Sequence, residues 1–193
     1  MQNHLGLIQQ IVKGNQQAFK EIYDIFHVKV FNTAMGYIQN NEEAEEVTQD
    51  VFVEIFRSAH KFKGNALVST WIYRITVNKC LDFLRYKQRK KRAVWLKRFL
   101  GFSDNEQERD IPDFVHPGIL LEQKENAQLL FKVIDTLAEK QKTAFILTYV
   151  EDLPQKEVAE IMEISVKAVE SLLQRAKTNL RKKLDKYNPN RRK

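Results

Sequence analysis

The chain has 193 residues, of which 43% are hydrophobic and 30% charged, and a net charge of +7. That is enough apolar material for one ordinary core or two small ones, and it excludes disorder throughout. Cys80 is the single cysteine, the 4 histidines show no metal-ligand spacing, and neither a signal core nor a bilayer-spanning run is visible. A cytoplasmic protein without metal or cofactor is expected.

With only 6 Gly and 4 Pro, and apolar residues recurring at three and four spacings, the chain is predicted to be all-α. Helical signals run from about Leu5 to Leu100. Asn15 is placed to cap a helix AFKEIYDIFHVKVFNTAMGYI. Asn41 is placed to cap a second, EEAEEVTQDVFVEIFRSA, whose first-turn acids oppose the helix dipole. On that second helix Val47, Val51, Phe52, Ile55 and Phe56 form a wide apolar stripe. Glu42, Glu43, Glu45, Glu46, Asp50 and Glu54 crowd the rest, with no cation before Arg57. An isolated acidic face is usually just solvated. Here, like charges four residues apart repel without relief, which predicts a basic protein partner and excludes DNA from that face.

The third helix, STWIYRITVNKCLDFLRYKQRKKR, has the opposite character. Lys79, Arg85, Lys87, Arg89, Lys90, Lys91 and Arg92 follow the rings of Trp71 and Tyr73. Rings beside cations suit unpaired bases, because each base stacked on a ring gains about 1–3 kcal/mol while cations hold the backbone. For Trp71 itself, simple core packing is an equal reading.

The helical pattern breaks in GFSDNEQERDIPDFVHPG. Residues 1–98 hold 16 basic and 9 acidic side chains, residues 99–116 hold 1 and 5, and residues 117–193 hold 15 and 11. Two small helical domains, 1–98 and 117–193, joined by a flexible acidic linker over 99–116, are therefore expected. Helices resume in ILLEQKENAQLLFKVIDTL and AEKQKTAFILTYVEDL, and Pro154 is placed to occupy the first helical position of the next element.

That element begins QKEVAEIMEISVKAVESLLQ, Gln155 to Gln174, whose spacing is that of a helix-turn-helix. Val158, Met162, Ile164, Val169 and Leu172 are predicted to fill the shared core. Ala159 is small where the helices approach, and Lys167, Ser171, Gln174 and Arg175 lie outside, free to meet a major groove. A plain helical hairpin would fit the apolar pattern as well. The stripe of Arg175, Lys177, Arg181, Lys182, Lys183 and Lys186 favours phosphate binding. One residue is discordant: Glu163 stands in the turn, where Gly is the usual choice because left-handed backbone costs it little.

Four segments, EEAEEVTQDVFVEIFR, FKGNALVSTWIYRITVNKCLDFLR, LAEKQKTAFILTYVEDL and LPQKEVAEIMEISVKAVESLLQRAKTNLRKKL, occur in the order that resembles the extracytoplasmic-function (ECF) sigma factors. These are the two-domain subunits that give bacterial RNA polymerase its promoter choice, and the resemblance covers nearly the whole chain. It implies that Glu46, Gln49, Asp50, Phe52 and Glu54 bind core polymerase. It places the loop FKGNALVS where a flipped base of the minus-ten box is captured, at an extrusion cost of a few kcal/mol that the pocket must offset. Lys63, Asn65, Trp71, Arg74, Asn78, Lys79, Asp82 and Arg85 would contact that box, with Asn78, Asp82 and Arg85 matching an NxxxDxxR signature. Ser165, Lys167, Ser171, Gln174 and Arg175 would read the duplex minus-thirty-five box.

The implied partners are core RNA polymerase, promoter DNA as duplex and melted strand, and an anti-sigma factor, with no catalytic residue and no membrane insertion. The sequence departs from the family pattern at Glu163, and at Glu170 and Leu172, where Lys or Arg is common. Ile72 stands where housekeeping relatives carry a second tryptophan, which implies weaker melting and stricter promoter recognition. Two other readings explain less. A nucleic-acid-modifying enzyme would need a Walker loop, a histidine-activated nucleophile or an acidic triplet, none of which is visible. A stand-alone helix-turn-helix regulator accounts only for the carboxyl half and predicts a palindromic operator.

Overall fold

A computed structural model describes residues 4–100 and 124–187, and no strand occurs among them. Among the described residues eight α-helices follow in order: α1 (Leu5–Val12), α2 (Gln16–Ile38), α3 (Asn41–Ser58), α4 (Val68–Phe99), α5 (Lys124–Ile134), α6 (Glu139–Phe145), α7 (Gln155–Met162) and α8 (Val166–Tyr187). A 3-10 turn (Ala59–Lys61) follows α3, and a π-helical turn (Ile146–Val150) extends α6. The acidic linker expected over 99–116 lies outside the described residues from 101 onward. No described helix is long and apolar enough to cross a membrane.

The caps largely follow from side-chain chemistry. Asn15 accepts from the backbone amides of Gln17 and Ala18 at 2.9 and 3.2 Å, as its position before α2 predicts. At α3 the cap is Asn40 rather than Asn41: Asn40 is extended and its Oδ1 accepts from Glu43 N at 2.9 Å, whereas Asn41 is already helical. Only a residue still outside the helix can turn its carboxamide back onto the third amide. Pro154 likewise sits at the cap of α7, one position earlier than expected, with Gln155 opening the helix.

Helices α2, α3 and α4 form an amino-terminal bundle, with α1 laid across α2 and the 3-10 turn. Its interior holds Ile22, Val30, Val47, Val51, Ile55, Ile72 and Cys80, all buried. Each such aliphatic side chain contributes about 1.5–3 kcal/mol by leaving water. Cys80 is fully enclosed and burial pushes its thiol far above the ordinary range, so it serves as a small apolar residue.

Helices α5 to α8 form the carboxyl-terminal module, in which α8 packs on α5, α6 and α7. Val158, Ala159 and Val169 are buried as predicted, whereas Met162, Ile164 and Leu172 are only half-buried. Ile161, Leu173, Ala176 and Leu180 fill the centre instead. Since Val169 faces inward, the residues four, seven and eleven positions on share its face, and Leu172 falls to the side.

The two modules meet in one continuous core. Gly36 of α2 lies against Ile146, so closely that a Cβ at position 36 would stand 3.1 Å from Ile146 Cγ2. Around this seam, Gln39 Nε2 donates to Phe131 O at 3.1 Å and Lys142 Nζ donates to Tyr37 O at 2.8 Å. Lys142 also pairs with Asp135 and sits 5.5 Å from the centre of the Tyr37 ring. An ammonium buried at 6% exposure requires these partners, because an uncompensated charge there would cost several kcal/mol.

Candidate polymerase and promoter interface

Folding divides the acids of α3 into two sets. Glu43 accepts from Lys87 Nζ at 2.7 and 2.9 Å, and Glu54 lies 3.4 Å from Lys79 Nζ. Glu45 stands 4.0 Å from His27 Nε2, an ion pair only when the imidazole is protonated. Part of the basic partner anticipated for this face is thus α4 of the same chain. Glu42, Glu46, Gln49 and Asp50 stay exposed, and the three acids among them have no ion-pair partner within the described residues. Their spacing puts them in one stripe with exposed Val53 and Phe56.

Aromatic rings border that stripe. Tyr23 lies 4.6 Å from Phe52 and 4.7 Å from His27, and Phe19 lies 5.5 Å from Phe56, centroid to centroid. Phe52 is only 3% exposed. It therefore supports Tyr23, Phe19 and His27 from beneath and cannot itself present a surface to polymerase, which corrects its placement among direct contacts. Val53, Phe56 and the partly exposed Tyr23 are the apolar side chains that stand open beside the acidic stripe. Glu54, also expected to meet polymerase, is held by Lys79.

The loop before α4 carries Lys63 and Asn65 on its exposed side. Its bend depends on Gly64 at φ +75, a left-handed conformation that glycine adopts without steric cost. Trp71 is half-buried with its ring 4.9 Å from Phe62, so it both packs and offers an edge at the surface. Ile72 is 1% exposed, so position 72 faces the core and adds no ring to the surface next to Trp71.

Asn78, Asp82 and Arg85 lie at the intervals the NxxxDxxR spacing predicts on α4, and all three are exposed. Two cations of the expected minus-ten set are occupied by the other module. Arg74 donates to Glu160 O at 2.7 Å and pairs with Glu163 at 3.2 Å. Arg85 bonds Asp82 at 3.3 Å and Glu139 at 2.9 and 3.1 Å. Arg74 and Asn78 line a cleft of about 250 Å³ closed on its far side by Glu139, Thr143, Glu163 and Ile164.

In the helix-turn-helix, Ser165 Oγ accepts from Ala168 N at 3.2 Å and so caps α8. Lys167, Gln174 and Arg175 project into solvent and Ser171 is half-buried. Lys177 lies 4.8 Å from the centre of the Tyr149 ring, and Asn179 bonds Gln141 at 3.1 Å. Glu163 forms the turn in left-handed backbone, φ 55 and ψ 42. Periodicity did not single out the residues that bind the modules to each other: Gln39, Glu139, Lys142, Glu151 and the partner of Glu163. The one signal among them was the misplaced acid of the turn.

Residues 22–90 match the family model of sigma-70 region 2, and residues 127–180 match that of sigma-70, region 4. The fold and these two regions define an RNA polymerase sigma factor of the two-region class. The chain is 30% identical over 179 residues to the ECF RNA polymerase sigma factor SigW of Bacillus subtilis (strain 168), covering 92% of this chain and 94% of that protein. It is 26% identical over 171 residues to the ECF RNA polymerase sigma-E factor of Escherichia coli (strain K12), covering 89% and 88%. The chain belongs to the ECF sigma factors, which direct RNA polymerase to promoters. Two solved structures share its fold: CnrH in complex with the cytosolic domain of CnrY (TM-score 0.66, 22% identity, 95% and 98% of the chains), and RpoE with the anti-sigma factor NepR from Bartonella quintana (0.61, 20%, 86% and 96%).

Proposed function

We propose that this chain binds core RNA polymerase through the acidic stripe of α3 and positions its two modules on the minus-ten and minus-thirty-five boxes. The observation that carries this reading is the segregation of surface chemistry. Glu42, Glu46 and Asp50 stand exposed beside Phe56 and Val53, while the cations and Trp71 lie on α4 and its loop. The acids repel DNA and suit a basic protein surface, and α4 suits a melted strand. The modules are assigned to residues 1–98 and 117–193, with 99–116 as linker. Initiation rather than catalysis is the role, carried out in the cytoplasm. The complex of RpoE with the anti-sigma factor NepR supports an anti-sigma partner here as well.

Transcription in vitro from core polymerase, this protein and a genomic DNA library tests the reading. Discrete initiation sites that appear only with the protein are expected, and an unchanged transcript set would refute it. Arg175→Ala is expected to cost about 1–3 kcal/mol in promoter affinity if its guanidinium reads a guanine edge, with equal loss on all sequences marking a phosphate contact instead. Asn78→Ala is expected to impair open-complex formation more than duplex binding. Permanganate reactivity of the melted region is the measurement, and a normal pattern would remove Asn78 from base capture.

A further inference from the structure

We infer that the distal end of α4, residues 88–100, is a docking element for an anionic phospholipid surface, on which it lies without crossing. The inference goes beyond the promoter reading, whose strand contacts on α4 end at Arg85. Every residue from Gln88 to Lys97 is exposed, as are Phe99 and Leu100, so no described side chain over about three turns of helix is buried. The bond from Leu100 N to Leu96 O at 3.0 Å keeps the last turn helical. Trp95 is 64% exposed, Phe99 74%, Leu100 60% and Leu96 50%. Large apolar side chains gathered at one place on a surface, rimmed by polar ones, mark an interaction site.

At about 100° per residue, Trp95, Phe99, Leu96 and Leu100 fall within an arc of roughly 140°, with Lys97 outside it. Within the arc the rings of Trp95 and Phe99 stack, 5.3 Å between centroids and 13° between planes. Arg92 and Arg89 continue the same side toward the body of the helix, about 4.5 and 9 Å along the axis from Trp95. Interfacial helices bury their apolar face about 5–10 Å into the boundary between headgroups and acyl chains. When the tip of α4 is buried, that spacing sets both guanidiniums at headgroup depth, where their forked donors suit phosphate oxygens. The stretch QRKKRAVWLKRFL contains no acid. Arg89, Arg92 and Lys97 carry no ion pair among the described residues. This combination selects lipid over the other occupants. A single nucleic-acid strand would use the cations and the rings but leave Leu96 and Leu100 in water. A second copy would press the same cations against each other. An anionic bilayer covers the arc and neutralises the cations at once, and tryptophan settles at its interface.

Co-sedimentation of the full chain with vesicles of phosphatidylglycerol and phosphatidylcholine tests the proposal, at about 0.15 M salt, with vesicles of phosphatidylcholine alone as reference. Binding to the anionic vesicles is expected, and its absence would overturn the proposal. A protein of net charge +7 also binds such vesicles diffusely, so the deciding variant keeps every charge. Trp95→Ala combined with Phe99→Ala is expected to lose about tenfold in vesicle affinity. Arg92→Glu combined with Lys97→Glu is expected to lose about as much, and its residual binding to respond less to salt. All four side chains are exposed, so thermal unfolding of these variants is expected to match the parent. Lipids brominated in the acyl chain are expected to quench the tryptophan fluorescence of the parent but not of Trp95→Ala, in which Trp71 remains. Equal vesicle binding by the parent and the alanine pair would reduce the contact to charge alone and overturn the proposal, as would quenching that persists without Trp95. Affinity for a single-stranded oligonucleotide, or self-association, that the alanine pair abolishes while vesicle binding stays unchanged would give the face to nucleic acid or to a second copy instead. Polymerase and promoter are absent from every arm, so failure here and failure of the promoter reading are distinguishable.

Discussion

Asp50→Arg is expected to weaken the affinity for core polymerase by about 100-fold, and Glu46→Arg combined with it by more. Reversing a charge replaces an attraction to a basic surface with a repulsion, and like charges juxtaposed at an interface cost several kcal/mol. Both side chains are exposed and carry no ion pair in the described structure. The fold should therefore lose no more than about 0.5 kcal/mol, as is usual for surface changes away from caps and cores. Titration of labelled protein with core polymerase measures the affinity, and thermal unfolding serves as the control. Unchanged affinity at intact stability would detach this face from polymerase. A salt dependence that flattens in the variant would confirm that the lost contact was electrostatic.

The second large effect is the response of stability to pH through Glu151. Burial is the main cause that raises its carboxyl from 4.5 to about 7; the Tyr73 hydroxyl, Thr33 and the Lys29 ammonium act in the opposite direction. Glu157 lies near Tyr73 on the same side. When the chain unfolds, Glu151 is solvated and returns toward its ordinary value. The folded form therefore holds the proton more tightly than the unfolded form. Its contribution to stability is complete below about pH 4.5, declines between 4.5 and 7, and is lost above 7. At 1.36 kcal/mol per unit, the span is at most about 3 kcal/mol. Denaturant unfolding at pH 6 and pH 8.5 is expected to show lower stability at the higher value, and Glu151→Gln is expected to remove that difference. Equal pH response in parent and variant would assign it to another group.

The same residue types explain why some of this was legible in advance and some was not. The three-and-four recurrence of Val47, Val51 and Ile55 sufficed to define α3, because a helix buries whatever face its period makes apolar. Lys167, Gln174 and Arg175 could be placed outside α8 for a related reason, and they are exposed, whereas Asn78, Asp82 and Arg85 were singled out by the family signature rather than by periodicity. Asn40 rather than Asn41 as cap, and Phe52 beneath Tyr23 rather than beside Asp50, turned on a single position of backbone phase. Periodicity carries no such detail. The pairing of Glu43 with Lys87 and of Glu54 with Lys79 could not be foreseen, since those partners are 44 and 25 positions apart and meet only when α3 packs on α4.

By itself the sequence determined that this protein is helical, that its chemistry is divided between an acidic face and two cationic modules, and where each lies along the chain. These properties depend on neighbours within a turn or two, and the order of residues encodes them directly. Only the tertiary structure decided that Gly36 admits Ile146, that Lys142 is buried against a carbonyl of the other module, and that Glu163 covers Arg74. Those contacts join residues separated by 89 to 110 positions, and their existence depends on how two cores dock, a property no local pattern contains.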